Sequence, residues 1–77
     1  MVEFSSHAAL MIAERGIDEA WVLLTIDDPQ KKTHEEDGNV HYVKSIEEHG
    51  GRMLRVIINE AIEPSRIVTV FFDRRLR

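Results

Sequence analysis

Two stretches in the C-terminal third of the chain are apolar at almost every position, Arg52-Met53-Leu54-Arg55-Val56-Ile57-Ile58-Asn59 and Arg66-Ile67-Val68-Thr69-Val70-Phe71-Phe72. Both are rich in β-branched and aromatic residues, the types that fit a pleated, packed surface. Side chains alternate along a strand, so Leu54, Val56 and Ile58 share one face while Met53, Arg55 and Ile57 share the other. In the second run Val68, Val70 and Phe72 alternate with Ile67, Thr69 and Phe71. An edge strand is usually apolar on one side only, so this pattern predicts two central strands. Arg55 and Thr69 are the exceptions. A guanidinium inside such a sheet has to find an anion or hydrogen-bond partners.

Upstream the apolar spacing becomes helical. Ala8, Met11 and Ile12 fall on one face of a helix predicted from His7 to Arg15, capped by Ser5 or Ser6. Gly16 suits the left-handed position after its last turn, with Ile17 touching Ile12. Asp18 caps a second helix with an inner stripe of Ala20, Leu23 and Leu24, and Trp21 is expected to cover the first helix. Pro29 disfavours helical geometry at Asp28 and ends it there. Lys31 to His34 reads as an edge strand, Asp37-Gly38 as a turn, and Val40 to Glu47 as the partner strand. Gly50-Gly51 turns the chain into the first apolar run, Glu60 to Ser65 is a hairpin loop, and Arg74 to Arg77 is a basic tail. The short alternating stretch Val2-Glu3-Phe4 either adds an edge strand or anchors the N-terminus. The expected architecture is α+β: two short N-terminal helices packed on a three- to four-stranded antiparallel sheet, as one domain over residues 1–77.

At 77 residues the chain is a small domain. Such a domain buries roughly 60% of its unfolded surface, and a homodimer is a fair expectation for it. With no cysteine, disulfides and thiolate metal sites are excluded. The apolar stretch Ala8 to Ala13 is too short for a signal core or a membrane span, so a cytoplasmic protein with no membrane partner is expected.

The net charge is −4, but residues 1–50 carry −7 and residues 51–77 carry +3. All the C-terminal bases are arginines, Arg52, Arg55, Arg66, Arg74, Arg75 and Arg77. Two uses are open to them. They can pair with Glu47, Glu48 and Asp73 across the sheet, or their planar forks can bind phosphate or carboxylate.

Further candidates are single residues. His7 lies in a helix's first turn, where the helix dipole disfavours imidazolium, so it is either an exposed or capping residue or a neutral base. Arg15 either caps its own helix or reaches an anion. Lys44 and Tyr42 share one face of a predicted strand, as a cation and a stacking residue for RNA would. His7, His34, His41 and His49 lack the spacing of a metal site, and the acids Glu35, Glu36 and Asp37 fall in a turn, so no metal is expected. No phosphate loop, nucleophile elbow or dinucleotide fingerprint is present, and no cofactor is expected.

Ser6-His7-Ala8, Glu14-Arg15-Gly16-Ile17, Leu54-x-Val56-Ile57 and Ile67-Val68-Thr69-Val70, in that order, resemble the pattern of the family called domain of unknown function 4258. That family resembles the RelE- and BrnT-like toxins, small α+β proteins that cleave messenger RNA and are neutralised by an antitoxin encoded beside them. The resemblance implies RNA chemistry on the concave side of the sheet without a metal. A base takes the ribose 2′-OH proton, cations hold the phosphate, and an acid protonates the leaving oxygen. Carried onto this chain, His7, Arg15 and Lys44 are the catalytic candidates, and Arg55, Arg66 and Arg74 the RNA- or anion-binding ones. The acidic total charge departs from that of an RNA-binding toxin. The alternative reading is a non-catalytic interaction module that docks a partner on an arginine-rich sheet face.

Overall fold

The computed structural model describes residues 2–74. Its helices begin and end where the capping chemistry directs. The Ser5 Oγ accepts from the Ala8 amide at 3.0 Å, satisfying a donor that a helix start leaves free, and α1 runs Ser6–Arg15. Gly16 follows at φ 62°, and its amide and that of Ile17 both reach the Ile12 carbonyl. Asp18 caps α2 (Glu19–Asp27), its Oδ1 accepting from the Ala20 amide at 2.9 Å.

The strands are β1 (Val2–Phe4), β2 (Lys31–His34), β3 (Asn39–Ile46), β4 (Arg52–Asn59) and β5 (Ser65–Phe72), with a 3-10 turn, Glu47–His49, between β3 and β4. They form one sheet in the order β1-β5-β4-β3-β2. The expectation of three or four antiparallel strands is corrected to five, mostly antiparallel, because β1 joins β5 in parallel with Phe4 opposite Ile67. Val2 and Phe4 pack against the core, which gives this short strand a reason to dock. The helices therefore follow a first strand and do not open the chain. The two apolar runs, β4 and β5, lie side by side in the interior of the sheet.

Both helices contact the sheet, where they bury Ala8, Ile17 and Val22 against Val40, Tyr42, Ile46, Leu54, Val56, Ile58, Ile67 and Val70. The opposite face carries His41, Val43, Met53, Arg55, Ile57, Thr69 and Phe71. In α2 the inward residues are Val22 and Thr25, while Leu23 is 53% and Leu24 44% exposed, so the expected inner stripe is corrected. This helix is apolar on every side, and its sequence cannot set its phase. Thr25 is buried without penalty because its hydroxyl donates to the Trp21 carbonyl at 2.8 Å. Among the described residues no helix is long and apolar enough to cross a membrane.

A register slip in the β4–β5 ladder positions everything beyond it. Ile58 pairs with Ile67, but Ile57 pairs with Thr69, leaving Val68 as the extra residue of a bulge.

Candidate functional site

The bulge decides which side of the sheet each C-terminal charge faces. Without Val68 as an extra residue, the Ile58–Ile67 register would set Arg52 opposite Asp73. With it, Leu54 pairs with Phe72 and the Asp73 amide donates to the Met53 carbonyl at 2.9 Å. Arg74 follows just past the end of β5, and Arg52 opens the neighbouring strand β4.

Asp73 consequently faces the side away from the helices and meets Arg55, Nε to Oδ2 at 3.0 Å, with the aspartate side chain only 3% exposed. A guanidinium nitrogen of Arg55 also lies 2.9 Å from His41 Nδ1. Guanidinium has donors only, so His41 Nδ1 accepts and the ring proton sits on Nε2. Arg55 is thus held by Asp73 and His41 together.

The helix-covered side differs. The Ser5 amide meets the Ile67 carbonyl at 2.9 Å, and α1 packs against β5 from there. At 1.5 Å per residue, its length carries Arg15 roughly 13 Å onward, toward the Phe72 end. Arg15, His49, Arg52, Phe72 and Arg74 line one open cleft of 510 Å³, within the usual range of small-ligand sites. Gly50 and Gly51, at φ 68° and 73°, let the chain leave the 3-10 turn and enter β4 at once, which keeps His49 beside Arg52.

Aromatic packing fixes the floor of the cleft. The His49 ring stacks on Phe72 at 4.5 Å and 27°, and Trp21 meets Phe72 edge-on at 6.2 Å. The Arg52 guanidinium stands 5.6 Å from the Phe72 centroid, a cation–π contact. Trp21, expected to cover α1, instead donates its indole N–H to Glu48 at 2.8 Å, which occupies the carboxylate closest in sequence to His49. Among the described residues no acid lies within ion-pair distance of Arg15, Arg52 or Arg74. Nor does Arg15 donate to the last carbonyls of its own helix.

Of the residues singled out from the sequence, the fold brings Arg15 and Arg74 together. His7 is exposed at the other end of α1. Lys44 holds the end of α2, its Nζ 2.9 Å from the Asp28 carbonyl and 3.3 Å from its carboxylate. Arg55 is committed on the opposite face, and Arg66 is exposed toward the start of β5, in register with Glu3. Arg75 and Arg77 lie outside the described residues. His49 and Arg52 belong to the cleft and were not singled out for it. Their signal is the convergence of Arg52 and Arg74 on one cleft, which shows only once the ends of β4 and β5 lie side by side. Among the described residues no three histidine or acidic side chains gather as a metal site would need.

A family model described as Domain of unknown function (DUF4258) matches residues 4–72. No curated protein and no solved structure matches the chain.

Proposed function

We propose a function from one premise: the chain belongs to the family described as Domain of unknown function (DUF4258). The function is that of a small toxin-like domain directed at RNA, with the Arg15–His49–Arg52–Arg74 cleft as the surface that takes the phosphate. One observation carries this reading. Three guanidiniums without acidic partners converge with an imidazole in a single cleft of a protein whose net charge is −4. Arginine forks match phosphate oxygens, and such a concentration of positive charge is stabilised when an anion enters.

The reaction is metal-independent cleavage of messenger RNA. His49 takes the proton of a ribose 2′-OH, and the oxygen attacks the adjacent phosphorus. The bond to the 5′ oxygen breaks, that oxygen takes a proton from water, and a 2′,3′-cyclic phosphate remains. Arg52 and Arg74 stabilise the charge that develops on the phosphoryl oxygens. An antitoxin encoded nearby is the natural partner of such an activity.

Incubating the protein with messenger RNA in the presence of a chelator tests the reading. Fragments ending in cyclic phosphate are expected from the parent protein, and from neither His49→Ala nor Arg52→Ala. Absence of both binding and cleavage overturns the proposal, and cleavage that survives both substitutions removes the cleft from it.

A second reading, a non-catalytic interaction module, is favoured by α2, where Leu23 and Leu24 stand exposed beside Val2 and Ile26. An apolar surface of this kind marks contact with another protein. Sedimentation of Leu23→Glu beside the parent, with any co-purifying partner, separates the readings. An unchanged complex counts against α2 as the contact.

A further inference from the structure

Arg52 opens β4, Arg74 follows the end of the neighbouring strand β5, and Arg15 arrives from the last turn of α1. The three charges therefore converge on one cleft from three separate parts of the chain. A surface that follows a nucleic acid strand needs cations strung along a groove, because the phosphates are strung along the backbone. Here the neighbouring surface is acidic: Glu47 and Glu48 precede His49 and are exposed. Two cations outside the cleft are paired. Lys44 is held by Asp28, and Arg55 by Asp73.

A compact triple positive charge matches a compact multiple negative one. A phosphodiester carries a single charge, whereas a phosphomonoester carries about −1.5 to −2 at neutral pH and offers three acceptor oxygens. We infer that the cleft binds the terminal phosphomonoester of a single-stranded RNA, with the guanidiniums of Arg15, Arg52 and Arg74 around its oxygens. This rests on the RNA reading above and adds a phosphorylated strand end to what the cleft takes. The cation–π contact with Phe72 holds the Arg52 fork in place before the ligand arrives.

Fluorescence anisotropy with short single-stranded RNAs of one sequence tests the inference. The RNAs end in a 5′-phosphate, a 3′-phosphate or hydroxyls only, and inorganic phosphate and a mononucleotide serve as competitors. One phosphorylated end is expected to bind at least roughly tenfold tighter than the hydroxyl form. Arg52→Gln and Arg74→Gln are expected to erase that difference, with circular dichroism reporting an unchanged fold. The two phosphorylated RNAs distinguish the 5′ from the 3′ end. Competition by the mononucleotide alone, with no difference among the RNAs, overturns the inference in favour of a free-nucleotide site. Equal binding of all three RNAs overturns end recognition and leaves the RNA reading standing. Failure of every RNA to bind overturns both. A preference for phosphorylated ends that persists in both variants removes this cleft as their site.

Discussion

Tyr42 reaches the core from β3 with 6% of its surface exposed and donates its hydroxyl proton to Glu60. Burial, the hydrogen bond to Glu60 and the charge of that carboxylate together push its pKa up to about 12, burial acting most. An unfolded tyrosine ionises near ~10, so between about pH 10 and 12 only the unfolded chain loses this proton. The stability that Tyr42 contributes is therefore complete below about pH 10 and falls away as pH rises toward 12. Chemical denaturation across that range is expected to show the decline, and Tyr42→Phe to flatten it. Arg52 is exposed and touches the fold through Phe72 alone among the described contacts. Arg52→Glu is expected to abolish RNA binding while changing stability by no more than about 0.5 kcal/mol. A loss of both would make Arg52 a structural residue. Arg55 was legible as a charge in need of a partner. Asp73 was among the acids named for the arginines, but which arginine it meets was not legible, because whether it faces Arg55 or Arg52 depends on a bulge that no local composition marks.

α1 was legible to within a residue at both ends because each end is fixed by local chemistry. Ser5 caps it, and Gly16 supplies the left-handed turn at φ 62°. Ser5 does more than cap, since its hydroxyl also reaches the Val68 carbonyl at 3.4 Å, beside the bulge. Ser5→Ala is expected to cost about 1 kcal/mol in thermal or urea unfolding. Ser5→Asp keeps an acceptor for the Ala8 amide and is expected to recover most of that loss. A larger loss with no rescue would locate the effect at the sheet instead of the cap. α2 was legible in extent and not in orientation. Asp18 and Pro29 bracket it, but Trp21-Val22-Leu23-Leu24 offers no polar face from which to choose the buried side. β2 and β3 followed from the turn at Asp37-Gly38. There Gly38 is irreplaceable for a second reason: a Cβ would come within 2.9 Å of the Ala61 Cβ.

Across the whole molecule the order of elements followed from the sequence, while the closing contact did not. β1 is three residues long, too short to show a period, and its partner β5 lies more than sixty residues along the chain. The cleft depends on that pairing, because it seats the start of α1 and so the reach of Arg15. A chain of 77 residues has a total stability of about 4–12 kcal/mol at the usual range per residue. Leu54 sits in the middle strand with no exposed surface, between Lys44 on β3 and Phe72 on β5. Leu54→Ala removes its packing and leaves a cavity, which costs about 3–5 kcal/mol, and Phe72, the floor of the cleft, loses its cross-strand support. Leu54→Met keeps most of the volume and is expected to cost less than about 1.5 kcal/mol. If the sheet and the cleft are one cooperative unit, the Ala variant loses RNA binding in step with its folded fraction, measured by denaturation and anisotropy at the same temperature. The Met variant then keeps both. Binding that disappears in the Met variant while its fold persists would mean that the cleft depends on the exact packing beneath Phe72, beyond the presence of the sheet.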